Sequence, residues 1–131
     1  MIVWTNGCFD CIHAGHIEML DYAKKKGHKL IVGIDSDDRV RKSKGANRPI
    51  HSQDNRKRVL ESIKHVDEVV IFSSDEELVE CIKKSGASLM VVGSDYINKK
   101  VIGSELVEVN FFKRIPEFSS TKIIEKGGLN E

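Results

Sequence analysis

The sequence predicts an α/β fold, a doubly wound, Rossmann-like parallel sheet of five strands. Short runs rich in β-branched residues alternate along the chain with helical stretches, and this alternation is typical of right-handed crossovers between parallel strands. Five strands are too few for a barrel of eight, which leaves an open sheet. Because the chain has 131 residues and 40% of them are hydrophobic, we expect residues 1–131 to form a single domain with a buried core.

The strands and helices are predicted in order from hydrophobic periodicity. Strands are expected at residues 2–5, 29–35, 68–72, 88–92 and 107–112, and helices at residues 15–26, 53–64 and 75–85. The expected helix caps are Gly27 and Gly86 in the left-handed conformation at carboxyl ends, and Ser52 or Asp54 and Ser73 or Ser74 at amino ends. Residues 36–51 remain as a long polar loop, and a loop of this length in a small domain is a functional candidate.

Composition excludes several classes of protein. Twenty-one basic and 20 acidic residues give a net charge of +1, which provides no overall field to attract nucleic acid. The apolar runs are too short to span a membrane, and the amino terminus lacks the features of a signal peptide, so we expect a cytoplasmic protein. The odd count of three cysteines argues against a disulfide framework.

The turn after the first strand carries the most specific chemistry. Residues 6–16 read Asn-Gly-Cys-Phe-Asp-Cys-Ile-His-Ala-Gly-His. A strand-to-helix turn at the carboxyl edge of a sheet presents backbone N–H groups and a positive helix end, which suits a phosphate chain. Gly7 and Gly15 allow the backbone to approach a ligand closely. His13 and His16 can both donate to a pyrophosphate that gains charge as it leaves.

Other interpretations of this turn are less favoured. A zinc site would need four ligands within nine residues, and no second Cys-x-x-Cys is present. A thioredoxin-like redox role for Cys8 and Cys11 leaves the two histidines unexplained. The sequence also lacks the Gly-x-x-x-x-Gly-Lys-Ser/Thr loop of ordinary P-loop proteins.

The turn resembles the His-x-Gly-His signature of the cytidylyltransferase-like nucleotidyltransferases. Their second motif, an Arg followed by Ser/Thr residues that open a helix, is matched about a hundred residues later by residues 114–123. The resemblance covers nearly the whole chain. It implies an enzyme, often a homodimer, that transfers a nucleoside monophosphate from a nucleoside triphosphate to a phosphorylated small molecule and releases pyrophosphate.

The resemblance also implies roles for individual residues. The expected catalytic residues are His13, His16, Lys44 and Arg56, with Lys42 as a rival to Lys44 on the same loop. The expected nucleotide-binding residues are Asn6, Gly7, Cys8, Phe9, Gly15, Arg114, Ser119, Ser120 and Thr121. The expected acceptor-binding residues are Asp10, Asp35 and Asp95. Mg²⁺ is expected to neutralise the triphosphate, held mainly by the nucleotide phosphates and not by a protein site.

Further segments narrow the choice within the family. Residues 6–10, 45–49, 93–96 and 103–105 resemble the adenylyltransferases that activate a heptose 1-phosphate. Those enzymes have a Lys before Gly-Gly-Asp-Tyr, whereas Val92 precedes Gly-Ser-Asp-Tyr here. The glycerol-3-phosphate cytidylyltransferases, which share the small size and the His51-Ser52 element, are an alternative, and flavin-making adenylyltransferases are a third. A non-catalytic nucleotide-binding sensor on the same fold is the alternative of another class.

Overall fold

A computed structural model describes residues 1–94 and 99–113 of the chain. Five strands form one parallel sheet in the order β3-β2-β1-β4-β5. Their bounds are Ile2–Gly7 for β1, Lys29–Asp35 for β2, Glu68–Phe72 for β3, Leu89–Gly93 for β4 and Glu108–Phe112 for β5. The predicted doubly wound, five-stranded α/β fold is therefore confirmed, and each strand starts and ends within two residues of its expected position.

Four helices lie between the strands in the described part of the chain, namely α1 (Ala14–Lys25), α2 (Asp37–Lys44), α3 (Gln53–Glu61) and α4 (Asp75–Ser85). Ser52 and Ser74 cap α3 and α4, since their side chains accept from backbone N–H groups of the first turn. Gly86 ends α4 in the left-handed conformation, with φ 72°, as predicted. None of the helices among these residues is long and apolar enough to cross a membrane.

Helix α2 corrects the prediction of a continuous loop over residues 36–51. Only Val40 of this helix is buried, so the segment has no apolar periodicity from which a helix could be recognised. Its ends carry the other helix signals: the Ser36 hydroxyl accepts from the Arg39 N–H, acidic residues fill the first turn and basic residues the last. Lys44 is therefore the last residue of a helix and not part of a long loop.

Gly27 also differs from its prediction. The last turn of α1 ends at Lys26 in the right-handed conformation, and Gly27 is not among the glycines with positive φ. A Cβ at Gly27 would lie 2.4 Å from the carbonyl oxygen of Met1. Glycine is thus required here because the chain passes close to the start of β1, and not because of its backbone angles.

The sheet separates two apolar layers. Successive side chains of the central strand β1 point to opposite faces, so Val3 belongs to one layer and Trp4 to the other. Helices α1 and α3 cover the first layer with Leu20 and Leu60, and α4 covers the second with Ile82. Polar residues of the predicted site begin at the carboxyl ends of the strands, where Phe9 extends the first layer beyond β1.

Candidate active site

A cavity of about 460 Å³ opens at the carboxyl ends of β1 and β4. These strands are neighbours, yet the chain leaves β1 toward β2 and reaches β4 only after β3. The cavity therefore lies at the topological switch point, where open α/β sheets bind ligands, and its volume is typical of small-molecule sites. It brings together eight of the predicted site residues, namely Asn6, Gly7, Cys8, Phe9, Asp10, His16, Asp35 and Lys44.

A second, larger cavity of about 590 Å³ lies between the turn after β1 and helix α3. Its walls include Ile12, Asn55 and Val59, and the side chain of Val59 is half exposed. This cavity is lined by no residue of β1 or β4 and by neither His13 nor His16. The smaller cavity is therefore the candidate active site.

Phe9 gives the turn after β1 its shape. It is a buried residue with a φ of 52°, in the left-handed region that side chains other than glycine seldom adopt. The ring packs over Gly7, where an added Cβ would lie 3.3 Å from the Phe9 Cε2 atom, and it lies 5.4 Å from the His16 ring. Gly7 thus makes room for a strained phenylalanine whose ring packs beside His16.

The two histidines hold each other at the start of α1. The His13 Nδ1 atom accepts from the Gly15 N–H at 3.0 Å, and the His16 Nδ1 atom accepts from the His13 N–H at 3.2 Å. Their rings lie 4.0 Å apart. Because each Nδ1 atom is an acceptor, the proton of each neutral ring lies on Nε2. The backbone N–H groups of His13 and Gly15 are used by the rings, and of these residues and His16 only His16 lines the cavity.

Asp10 fastens the segment after α2 to the turn after β1. Its carboxylate, which is almost fully buried, accepts from the N–H groups of Ile50 at 2.7 Å and His51 at 2.8 Å, and from the Arg48 Nε atom at 3.3 Å. Burial would raise the pKa of the Asp10 carboxyl, but these three donors outweigh it and lower the pKa. The carboxylate is ionised at neutral pH and directs Arg48 toward the cavity wall.

Arg56 is buried and its guanidinium joins three segments of the chain. It donates to the carbonyl oxygens of Cys8, Asp35 and His51 and to the carboxylate of Asp37, at distances of 2.8 to 3.0 Å. The side chain is 1% exposed and does not line the active-site cavity. The predicted catalytic arginine therefore lies behind the site, where it holds the ends of β1 and β2 together.

The other basic side chains near the cavity differ in whether an acidic side chain pairs with them. Arg39 is paired with Asp35 at 2.8 Å and with Asp75 at 2.8 Å. Lys44 and Lys100 line the cavity and form no ion pair with the described residues. The rival Lys42 does not line the cavity; it pairs with Asp38 at 3.1 Å and is largely exposed.

The thiols at the site are poor nucleophiles. Burial raises the pKa of Cys8, and this outweighs the opposing effect of Lys44 and Arg56. Burial and the negative charge of Asp10 likewise raise the pKa of Cys11. Since the thiolate is the reactive form, neither side chain is activated for covalent catalysis.

Several predicted site residues lie outside the described residues, namely Asp95, Arg114, Ser119, Ser120 and Thr121. In turn, the sequence interpretation assigned no role to Arg39 or Lys100. Arg39 could have been found from its spacing of four from Asp35, which places the two side chains on one side of a helix start. No sequence motif around Lys100 indicates a binding role. It lines the cavity because of where the connection between β4 and β5 lies.

Known proteins resemble this chain over most of its length. The bifunctional protein HldE of Campylobacter fetus is 46% identical over 126 residues, and that of Helicobacter pylori is 44% identical over 128 residues. Each alignment covers 95% of this chain but only 27% of the relative. The chain thus spans about a quarter of the length of these relatives.

A solved structure supports the fold. The lipopolysaccharide core biosynthesis protein of Thermoplasma volcanium aligns with a TM-score of 0.74 and 22% identity, covering 88% of this chain and 98% of that one. The cytidylyltransferase-like family model matches residues 4–126, a range that includes every predicted site residue. The chain is therefore a nucleotidyltransferase, as its motifs predicted, and it belongs to the cytidylyltransferase-like family.

Proposed function

We propose that this protein is a sugar 1-phosphate adenylyltransferase, which transfers AMP from ATP to a heptose-like 1-phosphate and releases pyrophosphate. The observation that carries the proposal is the cavity at the switch point, where a histidine donor, Lys44, Arg48 and Lys100 surround a space sized for a small molecule. Such a cluster of donors suits two anionic substrates, since nucleotidyl transfer depends mainly on positioning and charge neutralisation.

The relatives support the choice of acceptor and base. Proteins named HldE are 44–46% identical to this chain, and its own motifs resemble those of adenylyltransferases acting on a heptose 1-phosphate. Together these favour the adenylyltransferase over a glycerol-3-phosphate cytidylyltransferase. A non-catalytic sensor is not favoured, because the histidine pair and the basic residues expected of an enzyme are all present.

The reaction needs no covalent intermediate. A phosphate acceptor is ionised at neutral pH, so it can attack the α-phosphorus of ATP directly without a general base. Pyrophosphate would leave toward His13 and His16, whose Nε2 protons stabilise the developing charge. Lys44, at the end of α2, would neutralise the same phosphates. The raised pKa of Cys8 agrees with single-step transfer, for which we expect inversion at the α-phosphorus.

Mg²⁺ would neutralise part of the triphosphate charge and be held mainly by the phosphates. The carboxylates that line the cavity suit this arrangement better than a protein cage. Asp10 is occupied by backbone N–H groups and Arg48, and Asp35 is paired with Arg39. No group of three or more metal-binding side chains occurs within residues 1–94 and 99–113.

Lys100 would supply the charge for the acceptor phosphate. The related adenylyltransferases have a lysine where this chain has Val92, and Val92 and Lys100 line the same cavity. Lys100 is followed by Val101 and Ile102, which pack against the apolar layer under α4. The base of this lysine is thus anchored, while its charge remains available on the side of the cavity formed by β4.

The proposed function is tested by measuring pyrophosphate release with ATP and CTP, each combined with heptose 1-phosphate, glycerol 3-phosphate and a free sugar. We expect release only with ATP and the sugar 1-phosphate. Preference for CTP and glycerol 3-phosphate would support the alternative enzyme, and nucleotide binding without any release would support the sensor. Retention of configuration with a chiral α-thio nucleotide would contradict single-step transfer.

We further propose a homodimer, on the resemblance to small members of the family. Leu89, Met90 and Val91 of β4 are buried within the chain and do not offer an interface. β5 is an edge strand in the described sheet, and Leu106 and Phe111 beside it are 40% and 37% exposed. Light scattering at micromolar concentration tests this, and a monomer mass would contradict it.

A further inference from the structure

The single tryptophan of the chain is connected to the cavity through Asn6. Trp4 is completely buried in β1, and its Nε1–H donates to the Asn6 Oδ1 atom at 2.8 Å. An indole nitrogen can only donate, so the atom facing it must be the amide oxygen of Asn6 and not the amide nitrogen. The hydrogen bond therefore fixes which end of the Asn6 amide faces the tryptophan.

The indole itself has one fixed position. Gly33 lies beside it on β2, where an added Cβ would be 2.5 Å from the Trp4 Cζ2 atom and 3.2 Å from the Phe72 Cε1 atom. The missing side chain of Gly33 is the space that the indole fills. With its ring enclosed, Trp4 cannot turn its N–H away from Asn6.

The remaining end of the Asn6 amide is the one available to a ligand. Asn6 lines the cavity, whereas Trp4 does not, and its amide nitrogen forms no hydrogen bond within residues 1–94 and 99–113. Two N–H donors at this position favour an anionic oxygen. In the opposite orientation, the amide would present its oxygen to the substrate phosphates and repel them.

We propose that Trp4 is a positioning residue that holds the Asn6 amide with its N–H donors toward a phosphate of the bound nucleotide. Trp4 touches no substrate and acts only through Asn6. The inference rests on the proposed function to the extent that the ligand of the cavity carries a polyphosphate chain. According to this proposal, Trp4, a residue of the apolar layer, influences phosphate binding without contacting the phosphate.

The test removes the N–H and keeps the ring. Because Trp4 is the only tryptophan, growth of a tryptophan auxotroph on 3-benzothienyl-alanine replaces the indole N–H by sulfur at this position alone. The replacement is made in the wild-type chain and in Asn6→Ala, and the four proteins are titrated calorimetrically with inorganic tripolyphosphate. This probe reports phosphate contact whatever the base or the acceptor.

We expect the analogue to weaken tripolyphosphate binding about fivefold when Asn6 is present, the effect of one neutral hydrogen bond, and less than 1.5-fold in Asn6→Ala. Equal effects in both backgrounds, or no effect in either, would overturn the proposal. A purely structural tryptophan would lower the thermal midpoint without this difference in affinity. Failure of the proposed function would instead appear as absent pyrophosphate release by the wild-type enzyme.

A second measurement needs no altered tryptophan. The ¹⁵N-labelled protein has one indole N–H resonance, and its hydrogen-bonded proton should exchange slowly with solvent. Tripolyphosphate should shift this resonance in the wild-type protein and leave it unshifted in Asn6→Leu, which keeps a side chain of similar size. An unshifted resonance in the wild-type protein under saturating tripolyphosphate would also overturn the proposal.

Discussion

Replacing Arg56 by lysine should destabilise the fold more than it weakens substrate binding. The guanidinium donates four hydrogen bonds, to three backbone carbonyls and to Asp37, and its side chain is 1% exposed. Lysine has three donors around one atom and cannot reach acceptors that surround a planar guanidinium. At least one buried carbonyl would therefore lose its donor.

The expected loss of unfolding free energy is about 3 kcal/mol. An unsatisfied buried polar group costs about 1–3 kcal/mol, and breaking a buried ion pair costs about 3–5 kcal/mol. Asp37 keeps some contact with solvent, since its side chain is 27% exposed, which reduces the ionic part. For a domain of this size the loss corresponds to a fall of about 10 °C in the thermal midpoint.

Urea unfolding with and without ATP measures this effect, and Arg58→Lys on the exposed side of the same helix is the matched control. Arg56→Lys should lower the free energy of unfolding, while the affinity of the folded protein for ATP changes less than threefold. A variant with wild-type stability and greatly weakened ATP binding would refute the positioning role and restore Arg56 as a direct phosphate ligand. Arg58→Lys should change neither quantity.

Three further substitutions, with Lys42→Ala as a control, separate the roles of the groups that line the cavity. His16→Ala should lower kcat by about a hundredfold or more in pyrophosphate-release assays, with little change in KM, because its donor acts on charge that develops in the transition state; full turnover would contradict this. Lys44→Ala should weaken ATP turnover at an almost unchanged thermal midpoint, whereas Lys42→Ala, which removes a solvated pair with Asp38, should leave steady-state kinetics unchanged. Lys100→Ala should raise KM for the sugar 1-phosphate about tenfold and leave KM for ATP unchanged, and the reverse pattern would move Lys100 to the nucleotide.

The fold could be predicted because its signals are local. Strands β2 and β3 are continuous apolar runs, and α1, α3 and α4 have buried side chains at helical spacing. Helix α2 has one buried residue, so periodicity could not reveal it. Its Ser36 cap and the charge order from acidic to basic were the available evidence, and they carry little weight without an apolar face.

The site could be predicted only where sequence neighbours are also neighbours in space. The turn from Asn6 to His16 fulfils that condition, and most of its predicted residues line the cavity. The position of Arg56 depended on three backbone carbonyl groups, of which those of Cys8 and Asp35 lie 48 and 21 residues away along the chain. The sequence does not show such long-range partners directly. A basic residue at the start of a helix therefore suggested a phosphate ligand, whereas the structure shows its side chain 1% exposed and hydrogen-bonded to backbone carbonyls.

Asp10 and Asp67 provide a matched pair that separates stability from catalysis. Each carboxylate accepts from backbone N–H and from a cation. For Asp67 the donors are the Leu30 N–H and the Lys24 ammonium. Leu30 lies near the start of β2, at the edge of the sheet opposite the cavity. For both, burial would raise the carboxyl pKa, but the hydrogen bonds and cations lower it. Their stabilising effect is thus complete above the unfolded pKa of about 3.9 and is lost as the pH falls through the lower pKa of the folded state.

Asp10→Asn and Asp67→Asn should therefore both lower the free energy of unfolding at pH 7, and both should make it less dependent on pH below about pH 4. Only Asp10→Asn should also lower kcat/KM, by tenfold or more at a temperature where both variants are fully folded, because it releases Arg48, which lines the cavity, and the backbone at residues 50–51, which follows it. Urea titrations across pH and pyrophosphate-release kinetics at pH 7 measure the two effects. Equal losses of kcat/KM in the two variants would mean that Asp10 acts through general stability, and full activity in Asp10→Asn would mean that the segment it fastens is not needed for transfer.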